Sequence, residues 1–161
     1  MGRLIREQLG QVDAPPDPSA LALLFAADRI HHLQTEIEPL LARGVHVFSD
    51  RYVLSSLAYQ SIDLQYDWVA SINREARPPD LTLLFVVDPE VAASRRGLRG
   101  GDEEIYDKMQ FQRQVAERYS ELARRLPEQN VELVDANQDF ESVAANLEAA
   151  VMSRLETHET R

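Results

Sequence analysis

The sequence predicts a three-layer α/β fold: a mainly parallel sheet with helices on both faces. Three short apolar runs, residues 45–50, 81–88 and 131–135, each close on an aspartate and read as strands. Stretches of helical periodicity separate them, and strands alternating with helices are the signature of layered α/β folds. The apolar fraction is 44% over 161 residues, which suffices for the core of one domain.

The elements follow in order. A short helix over residues 3–9 is stopped by Gly10. Asp17 followed by Pro18 is an N-cap with proline in the first helical turn. The helix it opens runs through Leu21, Leu24, Phe25 and Leu33 to Leu41 and ends at Gly44. Pro39 lies inside it and predicts a kink near Glu36, because proline lacks an N–H and crowds the preceding turn. After the strand at 45–50, helices are expected over 52–60 and 68–76, and Pro78-Pro79 breaks the chain. The run 81–88 is apolar throughout rather than alternating, which predicts a strand covered on both faces. A helix at 89–96 leads to a glycine-rich loop, then come a long helix over 104–126, the strand 131–135 and a last helix over 140–155. Three strands make a thin sheet and the stretch opens on helices, so the sheet's first strands are expected to be missing from it.

Composition narrows the functions. The net charge is −10, which disfavours a nucleic-acid surface. Lys108 is the only lysine among 17 basic side chains, so arginine must supply any anion site. Cysteine is absent, excluding disulfides, thiolate metal sites and a thiol nucleophile. His31, His32, His46 and His158 lack metal-ligand spacing. No apolar run reaches membrane length, the first residues show no signal region, and the expected compartment is the cytoplasm.

The chemistry-bearing residues cluster. Asp50-Arg51-Tyr52 ends a strand, at the edge where ligands of open α/β sheets collect. An aspartate there can face hydrated magnesium, and an arginine can fork onto phosphate. Strand ends also carry aspartate simply as helix caps. Arg51, Ser55 and Tyr59 are spaced to share a helix face, with Ser56 one step round; Phe25 and Arg29 are likewise one turn apart. Taken singly, both sets suit an ordinary half-buried helix face. Arg95, Arg96 and Arg99 stand among Gly97, Gly100 and Gly101, a pattern that taken alone suits a solvated basic loop and that also fits mobile cations neutralising a transferring phosphoryl group. Neither G-x-x-x-x-G-K-[ST] nor G-x-G-x-x-G occurs in the 161 residues.

Leu24-Phe25-Ala26-Ala27-Asp28-Arg29 and Asp50-Arg51-Tyr52-Val53-Leu54-Ser55-Ser56-Leu57-Ala58-Tyr59-Gln60 together resemble the thymidylate kinase family. Pro79-Asp80-Leu81-Thr82 through Val87-Asp88-Pro89-Glu90 is similar to the family's next strand and turn. Residues 104–111 resemble, in an archaeal-looking form, the segment after its lid. The likeness runs in order along nearly the whole chain. It implies a P-loop kinase-type sheet, one domain over 1–161 with a lid at 95–107, and transfer of the ATP γ-phosphoryl to dTMP with Mg2+. It further implies that Phe25 stacks on thymine, Arg29 donates to a thymine carbonyl and Ser56 meets the base edge. Tyr59 would pack on the sugar and disfavour a 2′-hydroxyl, with Ser55 and Gln60 as further substrate contacts. Arg51 would bind the dTMP phosphate and Asp50 lie near the magnesium. Arg95, Arg96 and Arg99 would be lid arginines, Glu104 and Tyr106 lie near the lid's base, and the protein would be a homodimer with neither nucleic-acid nor membrane partners. The family opens with a strand, a phosphate loop and a helix that this stretch does not contain. The expectation is therefore an N-terminally truncated chain, inactive without that segment. A non-catalytic nucleotide-binding or regulatory module, and a deoxynucleoside kinase of the same superfamily taking thymidine, remain open.

Overall fold

In the computed structural model the described residues are 2–11, 13–99, 109–126 and 129–159; side chains are described except at 96–109 and 157–159. The chain forms two compact units, residues 1–77 with 101–122, and residues 78–100 with 123–161.

The first unit is helical. Helix α1 (Gly2–Leu9) buries Ile5 and packs on α2. Helix α2 (Pro18–His32) starts as its sequence dictates. The Asp17 carboxylate accepts from the backbone N–H groups of Ser19 at 2.9 Å and Ala20 at 3.1 Å. These are donors that a helix start otherwise leaves unpaired. Its continuation, Leu33–Ile37, is a π-helical stretch before α3 (Glu38–Leu41). Pro39 cannot donate to the Thr35 carbonyl and its ring crowds that turn, so the helix widens there without breaking. Gly44, at φ +75°, ends the run in the left-handed conformation that costs glycine least.

Residues 45–49 form no strand. Apolar composition alone does not make one: a strand exists only in a ladder, and among the described residues this run pairs with none. Val45 is 39% exposed and Phe48 75%. Helix α4 (Val53–Gln60) turns Val53, Leu54, Leu57 and Ala58 into the core, where Leu21, Ala22 and Ala26 of α2 and Val69 of α5 (Tyr66–Ile72) are also buried. Helix α7 (Met109–Arg125) adds Val115 and Leu122 to the buried apolar residues, and its last turn belongs to the second unit.

The second unit holds a two-stranded parallel sheet, β1 (Thr82–Val86) beside β2 (Val131–Asp135), in register from Thr82↔Val131 to Val86↔Asp135. The intervening chain contains α6 (Pro89–Arg99). Asn130, at φ +47°, bends into β2 and gives its side-chain N–H to the Pro79 carbonyl at 2.8 Å, locking the two strand entrances together. Asparagine tolerates that conformation better than most residues. Helix α8 (Phe140–Glu159) packs on β2 and is capped by Asp139, whose carboxylate accepts from the Ser142 N–H at 2.9 Å. The double-sided cover expected for 81–88 is not present: Phe85 is 49% exposed and Leu133 of β2 62%. Apolar positions of this small sheet are therefore left open. The sheet is also smaller than the three strands expected among the described residues. No described helix is long and apolar enough to cross a membrane.

Candidate functional site

A cleft of about 450 Å³ opens in the first unit. It is lined by Phe25, Asp28, Arg29 and His32 from α2, by 48–52 of the following turn, and by Ser55, Ser56, Tyr59 and Gln60 from α4. Its size falls within the usual range for small-ligand sites. Eight residues expected to bind substrate or magnesium therefore share one cavity: Phe25, Arg29, Asp50, Arg51, Ser55, Ser56, Tyr59 and Gln60.

Arg29 forms one end. Its guanidinium donates to the Asn73 side-chain oxygen, to the Ser56 hydroxyl at 2.7 Å and to the Tyr52 carbonyl at 3.4 Å, and lies 5.5 Å from the Tyr52 ring centroid. Burial lowers its pKa, against the opposing pull of Tyr52 and Asp28, yet an arginine stays charged at any physiological pH. Tyr52 is fixed in turn by its hydroxyl, which donates to the Arg77 carbonyl at 3.0 Å. Burial pushes that phenol's pKa up.

Arg51 forms the other end and is placed differently. Helix α4 begins at Val53, so Arg51 lies outside it and does not reach Tyr59 by helical periodicity. Its backbone is left-handed, φ +66°, which costs a non-glycine residue about 1–3 kcal/mol. That backbone turn brings the guanidinium 4.8 Å from the Tyr59 ring centroid, a cation–π contact. Burial disfavours its charge, but Tyr59, Tyr119 and Asp50 outweigh this, and its pKa is raised. Ser55 and Tyr59 do share one face of α4, as their spacing requires.

Two residues near the cleft have no motif. Tyr119 of α7 shares a 2.6 Å hydrogen bond with the Ser55 hydroxyl and meets the Tyr59 ring edge-on at 6.2 Å, while Phe111 lies 5.9 Å from Tyr59. Burial raises the Tyr119 pKa, partly offset by Ser55. Asn73, just past α5, is buried and contacts Arg29. A sequence offers only one cue to either: a polar or aromatic residue on an otherwise apolar face.

In the second unit Arg95 gives its guanidinium to the Ala136 carbonyl at 2.6 Å and the Gln138 carbonyl at 3.3 Å, tying α6 to the turn after β2. The side chains of Arg96 and Arg99, and Glu104 and Tyr106 entirely, lie outside the described residues.

The thymidylate kinase family model matches residues 1–147. The chain belongs to the thymidylate kinase family. It is 43% identical over 151 residues to a probable thymidylate kinase of Pyrobaculum aerophilum, covering 91% of this chain and 74% of the relative. It is 39% identical over 147 residues to a thymidylate kinase of Halalkalibacterium halodurans, covering 86% and 70%. With a probable thymidylate kinase of Halobacterium salinarum it shares 37% identity over 161 residues, 96% and 77% of the two chains. Membership implies the P-loop kinase α/β fold, of which the parallel β1–β2 pair with its helices is a part, and supports a nucleoside monophosphate kinase role.

Proposed function

We propose that the cleft is the acceptor site of a dTMP kinase, with thymine at the Phe25–Arg29 end and the 5′-phosphate at Arg51. One observation carries this reading: an aromatic ring, two guanidinium groups and the hydroxyls of Ser55, Ser56 and Tyr59 line a single cavity. Phe25 offers a face for a base. Arg29 offers a donor to a base carbonyl, with Ser56 beside it. Gln60 is buried with its side-chain oxygen lacking a partner among the described residues, an acceptor suited to a base N–H. Tyr59 would pack against the sugar and crowd a 2′-hydroxyl, with Ser55 beside it. The planar fork of Arg51 suits a phosphate.

ATP and Mg2+ follow from the family, and the residues fit the ion as an outer contact. No described group of three acidic or histidine side chains could hold a metal alone. Magnesium keeps most of its waters and needs only a carboxylate or two besides phosphate oxygens. Asp50, exposed at the cleft beside Arg51, is the carboxylate that fits. When bound, the ion would neutralise charge on the transferring phosphoryl group. In this reading Arg96 and Arg99 remain lid candidates, with Glu104 and Tyr106 at the lid's base. Arg95 would have to exchange its two carbonyl partners to join them. No phosphate-gripping G-x-x-x-x-G-K-[ST] stands in these 161 residues, so transfer from ATP is proposed for this stretch together with such a loop. Without one, the stretch would act as a nucleotide-binding module.

Calorimetric titration with dTMP and thymidine tests the acceptor site. dTMP should bind more tightly, because only it engages Arg51. Thymidine binding as tightly or better would favour a nucleoside kinase, and no response to either would remove the acceptor site altogether.

A further inference from the structure

We infer that Asn73 is a positioning residue that sets the angle of the Arg29 guanidinium and thereby the cleft's choice of base; this rests on the acceptor-site reading above. Asn73 is 4% exposed and stands at the C-cap of α5, outside the cleft lining. Its amide is committed at both ends. The side-chain N–H donates to the Val69 carbonyl at 2.8 Å, which leaves the oxygen turned to accept from Arg29. The flipped amide would set an N–H against the guanidinium and an oxygen against a carbonyl. Only one orientation is therefore stable, and it is written into the helix end rather than into the cleft.

The consequence falls on the donors Arg29 has left. A guanidinium carries five N–H groups in a rigid plane. One hydrogen bond goes to Asn73 from one terminal nitrogen, and two go to Ser56 and the Tyr52 carbonyl from the other. Three contacts spread over both terminal nitrogens fix the plane in rotation as well as position. A donor fixed in angle distinguishes the carbonyl oxygen of thymine from the exocyclic amino group of cytosine, since the amino group would present a second donor to it. A loosely held guanidinium could swing aside and accept either. Ser56 lies within the lining and touches the ligand space directly, so among the three anchors Asn73 is the one acting wholly from behind.

The test compares Asn73→Ala and Asn73→Asp with the wild type, using dTMP, dCMP and 2-deoxyribose 5-phosphate as probes. Asn73→Ala should weaken dTMP about tenfold, narrow the preference of dTMP over dCMP, and leave the sugar phosphate unchanged. Asn73→Asp keeps an acceptor toward Arg29 and should recover most of the preference, while losing stability because its second oxygen faces the Val69 carbonyl. Equal losses for all three probes would mean a purely structural role and overturn the inference, as would an unchanged base preference. The Arg29 Nε–Hε resonance provides a ligand-free check: slowly exchanging in the wild type, and broadened or lost in Asn73→Ala. A wild type that binds dTMP no better than the sugar phosphate removes the acceptor-site reading, while an Arg29 resonance indifferent to Asn73 removes this assignment by itself.

Discussion

At one end of the cleft Arg29 rises from the last turn of α2 and is tied by hydrogen bonds to Asn73, Ser56 and the Tyr52 carbonyl. At the other, Arg51 stands on a left-handed residue outside any helix and is held chiefly against the face of Tyr59. Both are arginines in one cavity, yet one is tied to three acceptors from both terminal nitrogens and the other meets the ring and the hydroxyl of Tyr59. The difference separates two tasks. A base has one edge to be read at one angle, so rigidity before binding favours selection. A phosphate has several equivalent oxygens, so a planar fork can meet it in more than one pairing.

The largest expected effect breaks the cleft along this line. Arg51→Ala should cost dTMP about 1.5–3 kcal/mol, the usual worth of a charged hydrogen bond, and leave thymidine unaffected. Arg29→Ala should weaken dTMP and thymidine alike and leave 2-deoxyribose 5-phosphate unchanged. Isothermal titration of the three ligands against both variants shows whether the ends are separable. If Arg51→Ala weakens thymidine as much as dTMP, the division between the ends is wrong. A further asymmetry concerns folding. Arg29→Ala strands the buried Asn73 oxygen, which should lower stability by about 1–3 kcal/mol. Arg51→Gly should relieve backbone strain at the cleft and raise the thermal midpoint, even though binding is lost.

The same contrast explains what the sequence revealed. Phe25 and Arg29 were legible because a helix fixes them one turn apart, and α2 announces itself through Asp17 and Pro18. Pro39 marked the disturbance in that helix, and the β2 boundaries fell where the apolar run falls. Arg51 entered the cleft for a reason the periodicity did not contain, a positive φ at a residue that offers no glycine signal. Residues 45–49 read as a strand because local apolarity does not record whether a ladder partner exists. Asn73 and Tyr119 carry only a faint local cue for a related reason. Their partners lie 44 and 64 positions away, and only tertiary packing brings them together. The family resemblance, more than local pattern, picked out the residues that line the cleft, and neither picked out the groups packed behind them.

A middling effect sharpens the Arg51 end. Tyr119→Phe keeps the ring beside Tyr59 and removes only the hydroxyl shared with Ser55. The expected cost is about 1 kcal/mol of stability, read as a thermal shift of a few degrees. Ser55→Ala should cost a similar amount. The double variant should lose less than the two added together, since both singles delete one interaction. Full additivity would mean that the 2.6 Å contact does not couple the two side chains.

The smallest effect comes from outside the cleft. Neither guanidinium titrates in any pH range where the protein stays folded, so the acid response must come from carboxylates. Two with lowered pKa flank the turn between β2 and α8. Asp135 is held down by the Asn137 N–H and then Gln138, and Asp139 by the Ser142 N–H and hydroxyl. A carboxylate whose folded pKa lies below its unfolded value stabilises the fold above the unfolded pKa, about 3.9 for aspartate. That contribution is lost as pH falls through the folded value. Thermal midpoints should therefore be level near neutrality and decline below about pH 4. Asp139→Asn keeps an acceptor at the helix cap and removes the titration. Its midpoint should match the wild type near pH 7 and fall less steeply in acid. An acid slope as steep as the wild type's would show that other carboxylates, and not this cap, govern the response. Because the cap belongs to the second unit, dTMP binding at neutral pH should be the same in both proteins, which distinguishes a fault in the cap from a fault in the cleft.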